Sequence, residues 1–205
     1  MDITLYHSPG ACSTASFISL LEAGADFEVE IVNLKTDDHL SAEYSALNPK
    51  QKVPYLVCDA KGLSETVAIQ YWIAETYPEA RLLPADRWDR ATAISHMGWF
   101  GSGIHPHITR HFKTAKFCGV ANAFPDIKEK AKAMLFQQLS IVDEVLSDRI
   151  WFFDHYTACD SYFFWVFDRA LREGFALENF KNCYSHNDRM RERASVQKVL
   201  AHKAV

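Results

Sequence analysis

Tyr6-His7-Ser8-Pro9-Gly10-Ala11-Cys12-Ser13 gathers a phenol, an imidazole, two serine hydroxyls and a thiol into eight residues. The thiol decides what chemistry such a group can do. A cysteine reacts as thiolate, and thiolate is favoured by unpaired backbone N–H groups and by the positive end of a helix dipole. The surrounding pattern supplies such a place. Ile3 and Leu5 alternate with Asp2 and Thr4, a short strand pattern. Ala15, Phe17, Ile18, Leu20 and Leu21 recur at helical spacing up to Gly24. Pro9 and Gly10 mark the turn between the two. Cys12 and Ser13 therefore sit where a strand hands over to a helix N-terminus. The same pattern also suits a small buried thiol with a serine cap, because cysteine is among the most buried residue types. The stretch alone leaves both readings open.

Bulk properties narrow the classes. A chain of 205 residues holds one large domain or two small ones. Nearly half of it is apolar, so a sizeable core is expected. The net charge of -4 is mild, and no nucleic-acid or membrane partner is expected. The charge is unevenly spread. Residues 1–80 hold twelve acids against Lys35, Lys50, Lys52 and Lys61, whereas the remainder holds fourteen acids against eighteen bases. This asymmetry points to two units and leaves few partners for an anionic ligand in the first. Cys12, Cys58, Cys118, Cys159 and Cys183 are scattered, with no C-x-x-C pair, so neither a zinc site nor a dithiol pair is suggested. Met1 leads straight into a strand pattern without a signal-peptide run. A cytoplasmic, reducing compartment is expected.

The rest of the first unit reads as strand, helix, strand, short helix, strand, strand, helix. Residues 27–32 alternate like a half-buried strand, and a short helical candidate lies near Ser41–Ala46. Lys52 to Val57 forms a strand with Pro54 near its start, and Asp59-Ala60-Lys61-Gly62 makes a hairpin connection. Thr66 to Tyr77 has helical spacing until Pro78. Pro78 to Trp88 reads as a linker. Beyond it, helices are predicted from about Asp89 to Lys116, Pro125 to Leu146, Thr157 to Glu173 and His186 to Ala201. Three glycines and Pro106 between Gly98 and Pro106 predict a kink or break in the first of these. Thr157 with Asp160 three residues on follows capping-box logic.

This order and these motifs resemble the soluble glutathione transferase family. Tyr6-x-x-Pro9-Gly10-Ala11-Cys12-Ser13 looks like the bacterial beta-class signature. Asn48-Pro49-Lys50-Gln51-Lys52-Val53-Pro54 and Leu63-Ser64-Glu65-Thr66-Val67-Ala68-Ile69 follow at family spacing. Thr157-x-x-Asp160 and Met190-Arg191-Glu192-Arg193 extend the likeness to the end of the chain. The resemblance implies a thioredoxin-like α/β unit (βαβαββα) over residues 1–78, a linker at 79–88, and an all-helical unit over 89–205 that carries the acceptor pocket.

The resemblance also implies site roles. Glutathione is the co-substrate, and no metal is expected. Val53 presents its backbone to the tripeptide beside a cis Pro54. Thr66 takes the γ-glutamyl carboxylate at a helix N-terminus, and Glu65 takes the ammonium. Lys35 matches a family position for the glycyl carboxylate, and Lys52 and Ser102 are further candidate contacts for glutathione. Cys12 is the main catalytic candidate, with Ser13, His105 and Tyr6 supporting. Two modes stay open for Cys12: attack to form a mixed disulfide, or hydrogen bonding to the glutathione thiolate. Acceptor walls are sought among Trp99, Phe100, Ile104, His107, Phe112 and Phe164. Partners implied are a small hydrophobic electrophile or a mixed disulfide, and a second copy in a homodimer, with detoxification as the role. Gly98 and His107 depart from family residues, which keeps a non-catalytic glutathione- or ligand-binding protein as the alternative. His105, His107 and His111 lack a carboxylate or cysteine at ligand spacing, which argues against a metal.

Overall fold

The computed structural model describes residues 1–202. Four strands, β1 (Ile3–His7), β2 (Glu28–Ile31), β3 (Tyr55–Cys58) and β4 (Lys61–Ser64), form one sheet in the order β2-β1-β3-β4. β1 and β2 run parallel, as a strand–helix–strand crossover requires. β3 pairs antiparallel with β1 and with β4. Alternation in β1 buries Ile3, Leu5 and His7 and leaves Thr4 and Tyr6 half-buried on the other face. The β3–β4 hairpin turns through Asp59 and Ala60, both at positive φ, the geometry of a two-residue turn matched to strand twist. Gly62 lies under the Tyr55 ring, where a Cβ would stand 1.7 Å from the phenol oxygen.

Helices cover both faces. α1 (Ser13–Glu22) and α3 (Thr66–Thr76) pack on the face that carries Leu5 and Leu56. α2 (Ala42–Leu47) belongs to a smaller cluster of Val32, Tyr44 and Val53 on the other side. This is the expected thioredoxin-like βαβαββα order. Among the described residues after Pro78 there is no strand.

The helical part is built around α7 (Ala158–Arg172). Its residues Phe163, Phe164 and Phe167 are fully buried, each worth roughly 1.5–3 kcal/mol of apolar burial. α7 packs directly on α1, and a buried polar node joins them: Ser161 Oγ lies 3.0 Å from Ser19 Oγ and accepts from Gln70 Nε2 of α3 at 3.1 Å. The capping box forms, with Asp160 accepting the Thr157 N–H at 2.8 Å. Tyr156, just before the cap, packs on Trp151 and lies under the Arg193 guanidinium.

Three predicted boundaries shift. α4 (Arg87–Trp99) starts inside the expected linker, because the Asp86 carboxylate caps the N–H groups of Trp88 and Asp89. The predicted break appears as a π-helical turn over Phe100–Ile104, followed by α5 (His105–Phe112) with Pro106 in its first turn. After α6 (Phe124–Val145), the last predicted helix is two: α8 (Lys181–Glu192) and α9 (Ala194–Ala201), split by the extended backbone of Arg193. Arg193 donates to both oxygens of Glu22, at 2.8 and 2.6 Å, and so docks α9 against α1.

Candidate active site

Cys12 caps α1, in the loop that leaves β1. Its thiol donates to the Val53 carbonyl at 3.2 Å, across 41 residues of chain. The Val53–Pro54 bond is cis, which aims the Val53 backbone at the Cys12 loop instead of along β3. Thr66 opens α3 after Glu65, whose φ of 75° is strained for a residue with a side chain. The structure therefore brings together Cys12, Val53, Pro54 and Thr66.

Burial and hydrogen bonding oppose each other at Cys12. Burial pushes the thiol up to about 11, and the Glu65 carboxylate adds to the shift. The Thr66 hydroxyl and the N–H groups of Cys12 and Ser13 pull the other way and lose. In the ligand-free chain Cys12 is a neutral hydrogen-bond donor.

The supporting candidates are placed unequally. The Ser13 hydroxyl is buried and engaged elsewhere, 2.8 Å from His7 Nδ1 and accepting from the Ser8 N–H at 3.1 Å. Ser13 meets the Cys12 sulfur through its backbone N–H instead. Tyr6 packs between Tyr44 and Tyr55 on the far face of β1, and burial raises its phenol. His105 opens α5 and stands edge-on against Trp165, ring centroids 4.5 Å apart. Burial, followed by the charges of Arg169, Lys52 and Lys113, pushes its imidazole down to about 4, so it is neutral at pH 7.

Lys35 and Lys52 are exposed, as is Ser102, whose hydroxyl donates to the Gly98 carbonyl at 2.9 Å inside the π-helical turn. The Glu65 carboxylate is held by Lys50 Nζ at 2.6 Å. Of the six predicted acceptor walls, Phe100, Ile104 and Phe164 are instead fully buried core. His105, His107 and His111 face Trp165, Arg110 and the Lys128 carbonyl respectively. Among the described residues no three potential metal ligands gather. A cleft of about 860 Å³ lies elsewhere, between Trp88 and His96 on one side and Arg149 and Phe153 on the other.

Two residues near Cys12 escaped the sequence reading. The Tyr162 hydroxyl reaches the same Thr66 hydroxyl and feels the Cys12 sulfur. Gly101 makes room for it, since a Cβ there would stand 2.9 Å from that oxygen. Trp165 Nε1 donates to the Gly10 carbonyl at 3.0 Å. Both are aromatic residues in an apolar helical run, which periodicity alone assigns to core.

Residues 1–75 match the family model described as glutathione S-transferase, N-terminal domain. The chain is 33% identical to glutathione S-transferase GstA of Escherichia coli O157:H7 over 205 residues, covering 96% of each. Among solved structures it is similar to a sphingomonad glutathione S-transferase complexed with glutathione, with a TM-score of 0.85, 27% identity and 97% of each chain covered. It is equally similar in fold to the bacterial beta class glutathione S-transferase of Sphingomonas chungbukensis, at a TM-score of 0.85 and 29% identity over 97% of each chain.

Proposed function

The chain belongs to the glutathione transferase family, and from that premise we propose that it conjugates glutathione to small electrophiles with Cys12 as a hydrogen-bond donor. The single observation that carries this reading is the Cys12 thiol bonded to the Val53 carbonyl beside cis Pro54. A tripeptide paired with the Val53 backbone has its own sulfur beside Cys12. When the tripeptide's own N–H pairs with the Val53 carbonyl, the Cys12 S–H leaves that acceptor and turns to the incoming thiolate. Thr66, at the start of α3, takes the γ-glutamyl carboxylate. Glu65 takes the ammonium once Lys50 yields it. Lys35 serves the glycyl carboxylate. Ser102 and Lys52 are further contacts for the tripeptide. Neutral His105 is a hydrogen-bond partner of the site, since a base with so low a pKa carries protons poorly near neutrality.

The reaction is nucleophilic. The glutathione thiol gives its proton to water, the sulfur bonds to the electrophilic carbon, and the leaving group departs with its electron pair, as chloride does from a chloronitroaromatic. One hydrogen bond from Cys12 to that sulfur stabilises the thiolate by about 1–1.5 kcal/mol, close to tenfold in rate. A homodimer in a reducing compartment completes the reading, supported by exposed Tyr71 on α3 and exposed Met134 and Ile141 on α6. It resembles the beta class in its Cys12 loop.

A second reading, thiol transfer through a Cys12 mixed disulfide, is favoured by the Ser13 N–H and Thr66 hydroxyl that face the sulfur. One experiment separates the two. Conjugation of 1-chloro-2,4-dinitrobenzene is expected to stay within about threefold in Cys12→Ser and to fall about tenfold in Cys12→Ala. Full conjugation in Cys12→Ala, together with a glutathione adduct on wild-type Cys12 after incubation with glutathione disulfide, overturns the donor role in favour of thiol transfer.

A further inference from the structure

The turn that leads into Cys12 is tied to α7 through its backbone. Ser8-Pro9-Gly10-Ala11 closes with the Ala11 N–H on the Ser8 carbonyl at 3.0 Å. Pro9 in its second position and Gly10 in its third, at φ +77°, give the type II pattern. The Ala11 and Cys12 carbonyls then accept from the N–H groups of Thr14 and Ala15 as α1 begins. The Gly10 carbonyl takes its donors from α7 instead: Trp165 Nε1 at 3.0 Å and Arg172 Nη2 at 3.4 Å. Arg172 is aimed by Asp168, whose Oδ2 accepts from its Nε at 2.7 Å, while Arg191 of α8 holds Oδ1. The Asp168 side chain is only 3% exposed, so its carboxylate depends on these two guanidiniums for partners. The Arg172 nitrogens that Asp168 does not use are the ones at Gly10. A planar guanidinium carries the orientation set at Nε through to Nη2. Val53 precedes β3 and Thr66 opens α3, so the residues that receive the tripeptide stand on other elements. We propose that Arg172, aimed by Asp168, is a positioning residue for Cys12: it fixes the Gly10 carbonyl, and with it the place where the Cys12 thiol meets the glutathione sulfur, while glutathione binding is left to Val53 and Thr66.

The inference rests on the glutathione-conjugating reading above, in which Cys12 donates to that sulfur. Arg172→Met keeps the aliphatic stem and removes the guanidinium. With 1-chloro-2,4-dinitrobenzene its kcat is expected to fall about three- to fivefold, with the KM for glutathione within about twofold of wild type. In a Cys12→Ala background the same substitution is expected to cost less than about 1.5-fold, because the thiol that it positions is gone. A second readout needs no turnover. Alkylation of Cys12 by iodoacetamide at pH 8 in the ligand-free protein is expected to rise about three- to fivefold in Arg172→Met, as the loosened turn frees the thiol from the Val53 carbonyl. Arg172→Lys keeps a cation for Asp168 and loses the second nitrogen at Gly10, so it separates positioning from folding. It is expected to keep the wild-type midpoint in urea and still to alkylate faster at Cys12.

An equal loss of kcat with and without the Cys12 thiol overturns the inference and leaves the conjugating reading intact, because Arg172 then supports the fold alone. So does a raised KM for glutathione at unchanged kcat in Arg172→Met, which assigns the guanidinium to tripeptide binding. Wild-type alkylation of Cys12 in a stably folded Arg172→Lys overturns it as well. Conjugation at the full wild-type rate in Cys12→Ala overturns the donor reading instead, and the alkylation rates still decide whether Arg172 positions Cys12.

Discussion

The indole N–H of Trp165 donates to the Gly10 carbonyl at 3.0 Å, and the same ring supports His105 edge-on. One side chain on α7 thus sets the positions of the Cys12 loop and of the α5 imidazole together. Gly10 takes this role because it has no side chain. Its φ is +77°, and a Cβ would stand 2.8 Å from an Arg172 guanidinium nitrogen. Arg172 is itself held by buried Asp168, which Arg191 also contacts.

Trp165→Phe keeps the ring that supports His105 and deletes the donor to Gly10. We expect a stability loss of about 1 kcal/mol in urea unfolding, the usual net worth of one such bond. We also expect kcat/KM for glutathione conjugation to fall several-fold, because the loop that carries Cys12 loosens. Unchanged kinetics in a stably folded variant would show that the loop is fixed without the indole.

Cys12 offers a direct chemical check. With its thiol pushed up to about 11, the thiolate fraction at pH 8 is about one part in a thousand. Alkylation of Cys12 by iodoacetamide in the ligand-free protein is expected to rise about tenfold per pH unit from pH 7 to 10, with no plateau. A plateau near pH 6 or 7, followed by peptide mass spectrometry at Cys12, would show that the helix N-terminus overcomes burial.

Asp160 is the most connected buried carboxylate of the helical part. It accepts from the N–H groups of Thr157 and Phe152 and contacts His186 Nε2 at 3.0 Å. Asp160→Ala leaves those groups buried without partners, so a loss of about 3–5 kcal/mol is expected. Guanidinium unfolding reads this as a lower midpoint at an unchanged slope. A loss below about 1 kcal/mol would mean that water or neighbours replace the carboxylate.

The order of elements was legible because periodicity, Pro and Gly act locally. Pro9-Gly10, Asp59-Ala60 and Pro78 punctuate the chain where the structure turns, and the glycines before Pro106 give the π-helical turn. What stayed hidden depends on contacts far apart in sequence. α8 begins five residues before its predicted start, because the Asp143 carboxylate of α6 caps the N–H groups of Asn182 and Cys183. Nothing near Lys181 announces that cap. The Cys12 region followed the same rule. Its neighbours Val53 and Thr66 were recognisable as motifs, whereas the burial that keeps the thiol protonated, and the approach of Tyr162 and Trp165 from α7, arise only when the two layers close.

His7 carries a pH prediction. It is 1% exposed, between Ser13 and Phe17, and burial followed by the charge of His202 pushes it down to about 4. The ordinary imidazole titrates near 6.5, so between these values the unfolded chain binds a proton that the folded chain refuses. Stability is therefore whole above pH 6.5 and declines as pH falls from 6.5 toward 4, by up to about 1.4 kcal/mol per pH unit for this group. His7→Gln keeps a polar group beside Ser13 and removes the titration. Urea unfolding at pH 7.0 and 5.0 is expected to show a smaller loss in His7→Gln than in wild type. Equal losses would assign the acid sensitivity to other groups, with His105 next in line.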